Sequence, residues 1–128
     1  MINVPLMRKV LEYIEANPEE HDQATWGHKR DGDPLRGEWC GTVACMAGHT
    51  VLLTANPEIK SQWVFGYLEV YVNGERKGIA KTAAGELGLD EKQKDRMFHQ
   101  AETREDLWRM AHEFTDGEIE IPLKYQDD

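Results

Sequence analysis

The chain has 128 residues and a net charge of −9, with 40% apolar and 30% charged side chains. This length predicts a single domain over residues 1–128, large enough to bury a core without disulfides. The acidic balance argues against a nucleic-acid-binding protein, which needs a basic surface. No apolar run approaches the roughly 20 residues of a membrane span, so no membrane association is expected.

The N-terminal residues lack a basic segment followed by an apolar stretch, so we expect no signal peptide and a cytoplasmic location. The two cysteines are then expected to be reduced thiols. Residues 1–85 carry 9 basic and 11 acidic side chains, and residues 86–128 carry 6 and 13. The acidic C-terminal third could face a basic partner, mimic nucleic acid to a protein that binds it, or serve solubility alone.

The N-terminal quarter shows two helical patterns and then a polar stretch. Apolar residues at helical spacing predict a first helix over residues 5–16. Asn17 and Pro18 suit the start of a short second helix over residues 18–25. Residues 27–38 are almost all polar or turn-forming, which predicts a long surface loop.

A third helix is predicted from an N-cap at Thr42 to Ala55, before Asn56 and Pro57. Small and apolar residues leave it almost no charged face, so we expect it to be the buried centre of the domain.

A β-hairpin is predicted next, with strands at about 62–72 and 75–79. The first segment is rich in β-branched and aromatic residues, and Asn73-Gly74 suits a type I′ turn. Since two strands alone are marginal in water, residues 118–121, which alternate polar and apolar, could add a third. Residues 118–128 are otherwise a tail.

Three further helices follow from capping signals. Residues 79–87 form one, with Gly88 as its C-terminal glycine. Asp90 caps the next, and Thr103 caps the last. The predicted fold class is mainly α (α+β), with about five helices around a small-residue central helix and one β-hairpin.

The chain contains the following motifs in order: residues 14–20, Trp26, Cys40-Gly41-Thr42, Cys45, Ala47-Gly48-His49, Leu87-Gly88-Leu89 and Met97-Phe98. In their order and spacing they resemble a group of small proteins found in actinobacteria and their phages. The resemblance covers roughly residues 10–100, and the cysteine block, residues 40–49, is its most specific part. It implies a cytoplasmic accessory protein that could be encoded by a phage, and it implies no established activity.

The cysteine block allows a metal-site hypothesis. Cys45 and His49 are spaced i, i+4 on the predicted helix, Cys40 lies just upstream, and His21 or His28 could complete a tetrahedral set. Zinc favours such sulfur and nitrogen ligands. The Cys-x4-Cys-x3-His spacing is nevertheless uncommon, because structural zinc sites usually contain closer cysteine pairs.

Two other interpretations of the block remain open. Cys40, near a predicted helix N-terminus, could be the nucleophile of a cysteine-dependent hydrolase, with a histidine as its base. Alternatively the block is structural, because reduced cysteine is commonly buried and packs as a small hydrophobe. The structural interpretation explains every residue of the block without new chemistry.

The function we predict from the sequence is non-enzymatic: an accessory or regulatory protein that binds another protein, with no cofactor. A small zinc-binding protein is the alternative, and a cysteine-dependent hydrolase comes third. The predicted binding surface combines the 27–38 loop and an aromatic stripe on the hairpin, although such a stripe more often packs on helices. Because the edge of the hairpin can pair with a second copy, we expect either a monomer or a homodimer. The candidate binding residues are His28, Arg30, Trp63, Phe65, Tyr67 and Tyr71.

Overall fold

The computed structural model describes residues 1–21, 28–29, 42–43, 45–65 and 67–126. Within them the chain forms five α-helices and five strands, which confirms the predicted mainly α fold with a β-hairpin. The helices are α1 (Val4–Ala16), α2 (Met46–Leu53), α3 (Ile79–Leu87), α4 (Glu91–Asp95) and α5 (Arg104–Phe114). The strands are β1 (His28–Lys29), β2 (Thr42–Val43), β3 (Ile59–Val64), β4 (Tyr67–Val72) and β5 (Glu75–Lys77).

α1 matches the predicted first helix. Its N-cap is Asn3, whose Oδ1 accepts a hydrogen bond from the backbone N–H of Leu6 at 3.3 Å. Pro5 lies in the first turn, where its missing N–H costs nothing. One stripe of side chains is buried and packs toward α2, α3 and α5: Met7, Val10, Leu11 and Ile14.

α2 is the buried centre of the domain, as predicted, but it begins later than predicted. All residues from Met46 to Val51 are buried, and the helix packs between α1 and α3. Thr42 is not its N-cap, because Thr42 belongs to β2 and pairs with Lys29 of β1. β-branched residues such as Thr42 and Val43 favour extended backbone. Cys45, in extended conformation, is the N-cap.

The second predicted helix is much shorter than expected. Residues Pro18–Glu20 form one turn of 3-10 helix, and His21 is already extended. Residues 22–27 of the predicted helix and loop lie outside the described part of the chain. The predicted 27–38 loop is also interrupted, because His28–Lys29 form β1; residues 30–38 lie outside the described part.

The strands form one antiparallel sheet in the order β2-β1-β4-β3, and β5 also pairs with β4. β3 pairs with β4 along its whole length, from Val64↔Tyr67 to Ile59↔Val72. β1 and β5 therefore share the other edge of β4, where His28 pairs with Tyr67 and Lys77 pairs with Val70.

The predicted hairpin turn at Asn73-Gly74 is correct, but the predicted first strand, residues 62–72, is wrong. Asn73 and Gly74 join β4 to β5 with φ of +52° and +86°, as a type I′ turn requires. Residues 62–72 are not one strand, because the chain reverses between Val64 and Tyr67. The third strand is therefore β3. Residues 118–121 form no strand; Ile119 instead buries its side chain in the core.

The structure confirms the three predicted capping positions, at the end of α3 and at the starts of α4 and α5. Gly88 ends α3 in the left-handed conformation, with φ +76°. Asp90 and Gln93 form a capping box at α4, and Thr103 and Asp106 form another at α5. α4 continues into a π-helical turn, Arg96–Gln100, which buries Met97 and Phe98.

Candidate functional site

The described half of the cysteine block is enclosed in the core. Cys45 is 1% exposed and His49 is 2% exposed. The backbone N–H of His49 donates to the carbonyl oxygen of Cys45 at 2.9 Å, and the His49 ring lies 5.5 Å from the Tyr13 ring. Both side chains are therefore buried in the described structure.

The structure describes only part of the rest of the proposed metal or nucleophile site. His21 is described and is partly buried, whereas Cys40 and the side chain of His28 lie outside the described residues. Within the described residues no group of three or more candidate metal ligands comes together. The zinc and hydrolase hypotheses therefore stay predictions of the sequence.

The sequence predicted that the four aromatic candidates form one stripe. This prediction is wrong, because they do not share one face of the sheet. Trp63 pairs with Leu68, which places both on the face of the sheet that packs against the core. Tyr67 and Tyr71 lie on the opposite, outer face of β4, together with Glu69. Trp63 is thus a packing residue, whereas the two tyrosines belong to the outer face.

Hydrogen bonds hold the outer face in a defined arrangement. The Tyr71 hydroxyl donates to Glu69 Oε1 at 2.8 Å and accepts from Gln62 Nε2 at 3.1 Å. Arg76 Nη2 lies 3.4 Å from Glu69 Oε2. The hydrogen bond to the Glu69 carboxylate raises the pKa of Tyr71 above its ordinary value, with burial and the Glu69 charge adding to it. Tyr71 therefore stays a neutral, oriented side chain.

Phe65 lies at the turn between β3 and β4 and is 97% exposed. Its φ is +51°, in the left-handed region, which strongly favours glycine and asparagine. The equivalent first position of the next turn holds Asn73, with φ +52°. In both turns two residues separate the last pair of the two strands. At the first of these two positions, however, only the second turn has a residue that tolerates a positive φ.

The exposed aromatic surface, meaning the exposed Phe65 and Tyr67 together with the half-buried Tyr71 on the same strand as Tyr67, is what remains of the predicted binding surface. Tyr67 is 65% exposed and follows the turn directly. His28 pairs with Tyr67 through its backbone, while its side chain and Arg30 lie outside the described residues. The sequence reasoning missed the turn that exposes Phe65; the glycine at position 66 was the available signal.

A second polar centre, which the sequence did not predict, surrounds Glu15 on α1. Its Oε1 accepts hydrogen bonds from Trp108 Nε1 at 3.0 Å and from the Tyr125 hydroxyl at 2.8 Å. Its Oε2 contacts the Lys124 ammonium and lies 3.7 Å from Arg104 Nε. The side chain is 16% exposed. Because its partners belong to the chain itself, this carboxylate joins elements together.

Compared with known proteins, the chain matches no protein-family model, no curated protein and no solved structure. Among the described helices, none combines the length and apolar character needed to cross a membrane. Function therefore has to be inferred from the described residues themselves.

Proposed function

We propose that this chain is a non-enzymatic accessory protein that works by binding another protein through the exposed aromatic surface of Phe65, Tyr67 and Tyr71. The observation that carries the proposal is the turn position of Phe65. A bulky residue in left-handed conformation costs of order 1–2 kcal/mol, and asparagine at that position would avoid most of this cost.

Phe65 gains almost no burial in the free chain in return for this strain. Its side chain is 97% exposed, so it adds no burial to the described core. A bound partner would bury it, and burial of a phenylalanine side chain is worth roughly 1.5–3 kcal/mol. Insertion of Phe65 into a partner would thus explain both its strained backbone and its exposed side chain.

The neighbouring tyrosines fit the same role. Aromatic side chains dominate the energetic centres of protein interfaces, and tyrosine loses little conformational entropy because only two side-chain torsions are fixed. The hydrogen bond from Tyr71 to Glu69 already restricts Tyr71 in the free chain. A preorganised surface loses less entropy on binding.

Site-specific photocrosslinking tests this proposal. Benzoylphenylalanine at position 65, in cells that produce the protein, should give a crosslinked product of defined mass. The matched control carries the same group in place of Leu123, which is 84% exposed and lies in the C-terminal 3-10 turn Leu123–Tyr125. No product from position 65, or the same products from both positions, would contradict binding through this surface.

A further inference from the structure

A groove of about 660 Å³ runs along the side of the sheet where β5 meets α3 and α4. Four cationic side chains line it, from three elements: Arg76 and Lys77 of β5, Lys81 of α3 and Lys94 of α4. Glu69 is the only carboxylate among its described lining residues. The lining of this basic groove thus has an excess of positive charge, although the net charge of the chain is −9. Such a local excess attracts anions.

The cations of the basic groove are available to a ligand. Lys77 pairs with Glu75 at 2.9 Å and Lys94 pairs with Glu91 at 3.1 Å, but the two carboxylates are 76% and 85% exposed. Exposed pairs of this kind contribute little to stability, so an incoming carboxylate can compete with them. Lys81 makes no ion pair within the described part of the chain.

Apolar residues also line the basic groove. Leu68 and Val70 are buried, whereas Ile79 and Ala80, at the start of α3, are partly exposed along it. Small-molecule sites usually enclose most of their ligand, whereas this groove is open along the surface. An open groove lined by cations and by partly exposed apolar side chains suits an extended segment that carries both carboxylates and apolar side chains.

We propose that the basic groove binds an acidic segment of a partner protein. Carboxylates of the segment pair with Lys77, Lys81 and Lys94, and an apolar side chain of the segment packs on Ile79 and Ala80. The proposal rests on the proposed function, protein binding, and adds a second contact of stated chemistry beside the exposed aromatic surface. Arg76 lies between the two, because it also pairs with Glu69 on the outer face.

A synthetic peptide tests the groove without the natural partner. The probe is a fluorescein-labelled dodecapeptide of glutamate interspersed with leucine and alanine, titrated with the full chain and followed by fluorescence anisotropy. The double variant Lys77→Gln/Lys81→Gln should weaken binding roughly tenfold, because it removes two exposed charge contacts. Raising the ionic strength from about 0.05 M to about 0.5 M should also weaken it.

Matched controls separate the groove from net charge. Lys60→Gln/Lys92→Gln removes the same charge from positions that do not line the groove, and should leave binding within about twofold. A peptide with glutamine for glutamate should not bind. Backbone NMR shifts caused by the acidic peptide should be centred on residues 76–81. Equal loss in both double variants, or equal binding of the two peptides, would overturn the proposal.

Two further outcomes identify a different occupant and so overturn it. Salt-sensitive self-association of the chain without peptide, abolished by Lys77→Gln/Lys81→Gln, would assign the groove to a second copy. Binding of inorganic tripolyphosphate with no binding of the acidic peptide would assign it to a small anion. Crosslinking at position 65 is independent of these results, so failure of the groove leaves the proposed function standing.

Discussion

Trp108 of α5 donates its indole N–H to the carboxylate of Glu15 on α1, across 93 residues of sequence. The same carboxylate also holds Lys124 and Tyr125, which belong to the C-terminal 3-10 turn. Glu15 therefore joins the first helix, the last helix and the C-terminal segment. Such a network is more damaging to break than an exposed ion pair, because its polar groups are partly shielded from water.

Glu15→Gln should lower the free energy of unfolding by roughly 1–3 kcal/mol. The amide keeps one acceptor oxygen but loses the charge that attracts Lys124 and Arg104. Glu12→Gln is the matched control, because Glu12 is exposed on the same helix, and should change stability by less than about 0.5 kcal/mol. Urea unfolding of the two variants measures the difference, and equal effects would contradict the joining role of Glu15.

The contribution of Glu15 should depend on pH in the acid range. Burial raises its pKa, but the hydrogen bonds from Lys124, Tyr125 and Trp108 outweigh burial, so the folded pKa lies below its ordinary value. Its stabilisation is therefore complete above the unfolded pKa and is lost as the pH falls through the folded pKa. The stability gap between wild type and Glu15→Gln should be constant near neutral pH and should narrow below about pH 4.5. A gap that widens on acidification would contradict this.

Gly88→Ala should destabilise the chain by about 1–3 kcal/mol, for two reasons. Gly88 has φ +76°, where alanine is strained, and an added Cβ would lie 2.0 Å from the carbonyl oxygen of Met1. The N-terminal segment cannot simply move away, because the backbone N–H of Asn3 donates to the carbonyl of Leu87 at 2.8 Å. Thermal unfolding measures the loss.

Gly85→Ala provides the control for Gly88→Ala, since Gly85 lies inside α3 with nothing within 4 Å of its added Cβ. Alanine there should stabilise the helix by roughly 0.5–1 kcal/mol. The two glycine substitutions should thus have opposite signs. A stabilising Gly88→Ala would show that the N-terminal segment is not held against α3.

Elements whose signals are local could be predicted from the sequence. Gly88, Asp90 and Thr103 each end or begin a helix through contacts within a few residues, so residue type alone indicates the boundary. The contact between Glu15 and Trp108 could not be predicted, because it depends on how distant helices pack. Nothing in the sequence around either residue distinguishes a shared hydrogen bond from a solvated side chain.

The predicted first strand failed for a different reason. Phe65 is a strong strand residue by composition, and it stands at a turn position that disfavours it. The composition therefore did not indicate the reversal between Val64 and Tyr67, whereas Asn73-Gly74 did indicate the next one. Across this turn the odd-numbered residues change from one face of the sheet to the other. The prediction missed the turn and therefore placed Trp63 on the same face as Tyr67.

Trp63→Ala and Tyr67→Ser should separate the two faces of the sheet. Trp63 packs on the core, so its truncation should cost roughly 3 kcal/mol. Tyr67 is 65% exposed, so its truncation should cost less than about 1 kcal/mol. Chemical denaturation compares the variants, and equal costs would indicate that the two side chains share one face.

Phe65→Asn should affect stability and binding in opposite directions. Asparagine tolerates the left-handed conformation, so the variant should be more stable than wild type by about 1 kcal/mol. The same change removes the exposed ring and should abolish the crosslinked product formed by a benzoylphenylalanine at position 67 beside it. Asn73→Phe is the reciprocal control: it should destabilise by a similar amount and leave that product unchanged. If Phe65→Asn instead lowers stability, the ring has a structural role in the free chain. Retention of the product in a stabilised Phe65→Asn variant would remove Phe65 from the binding surface.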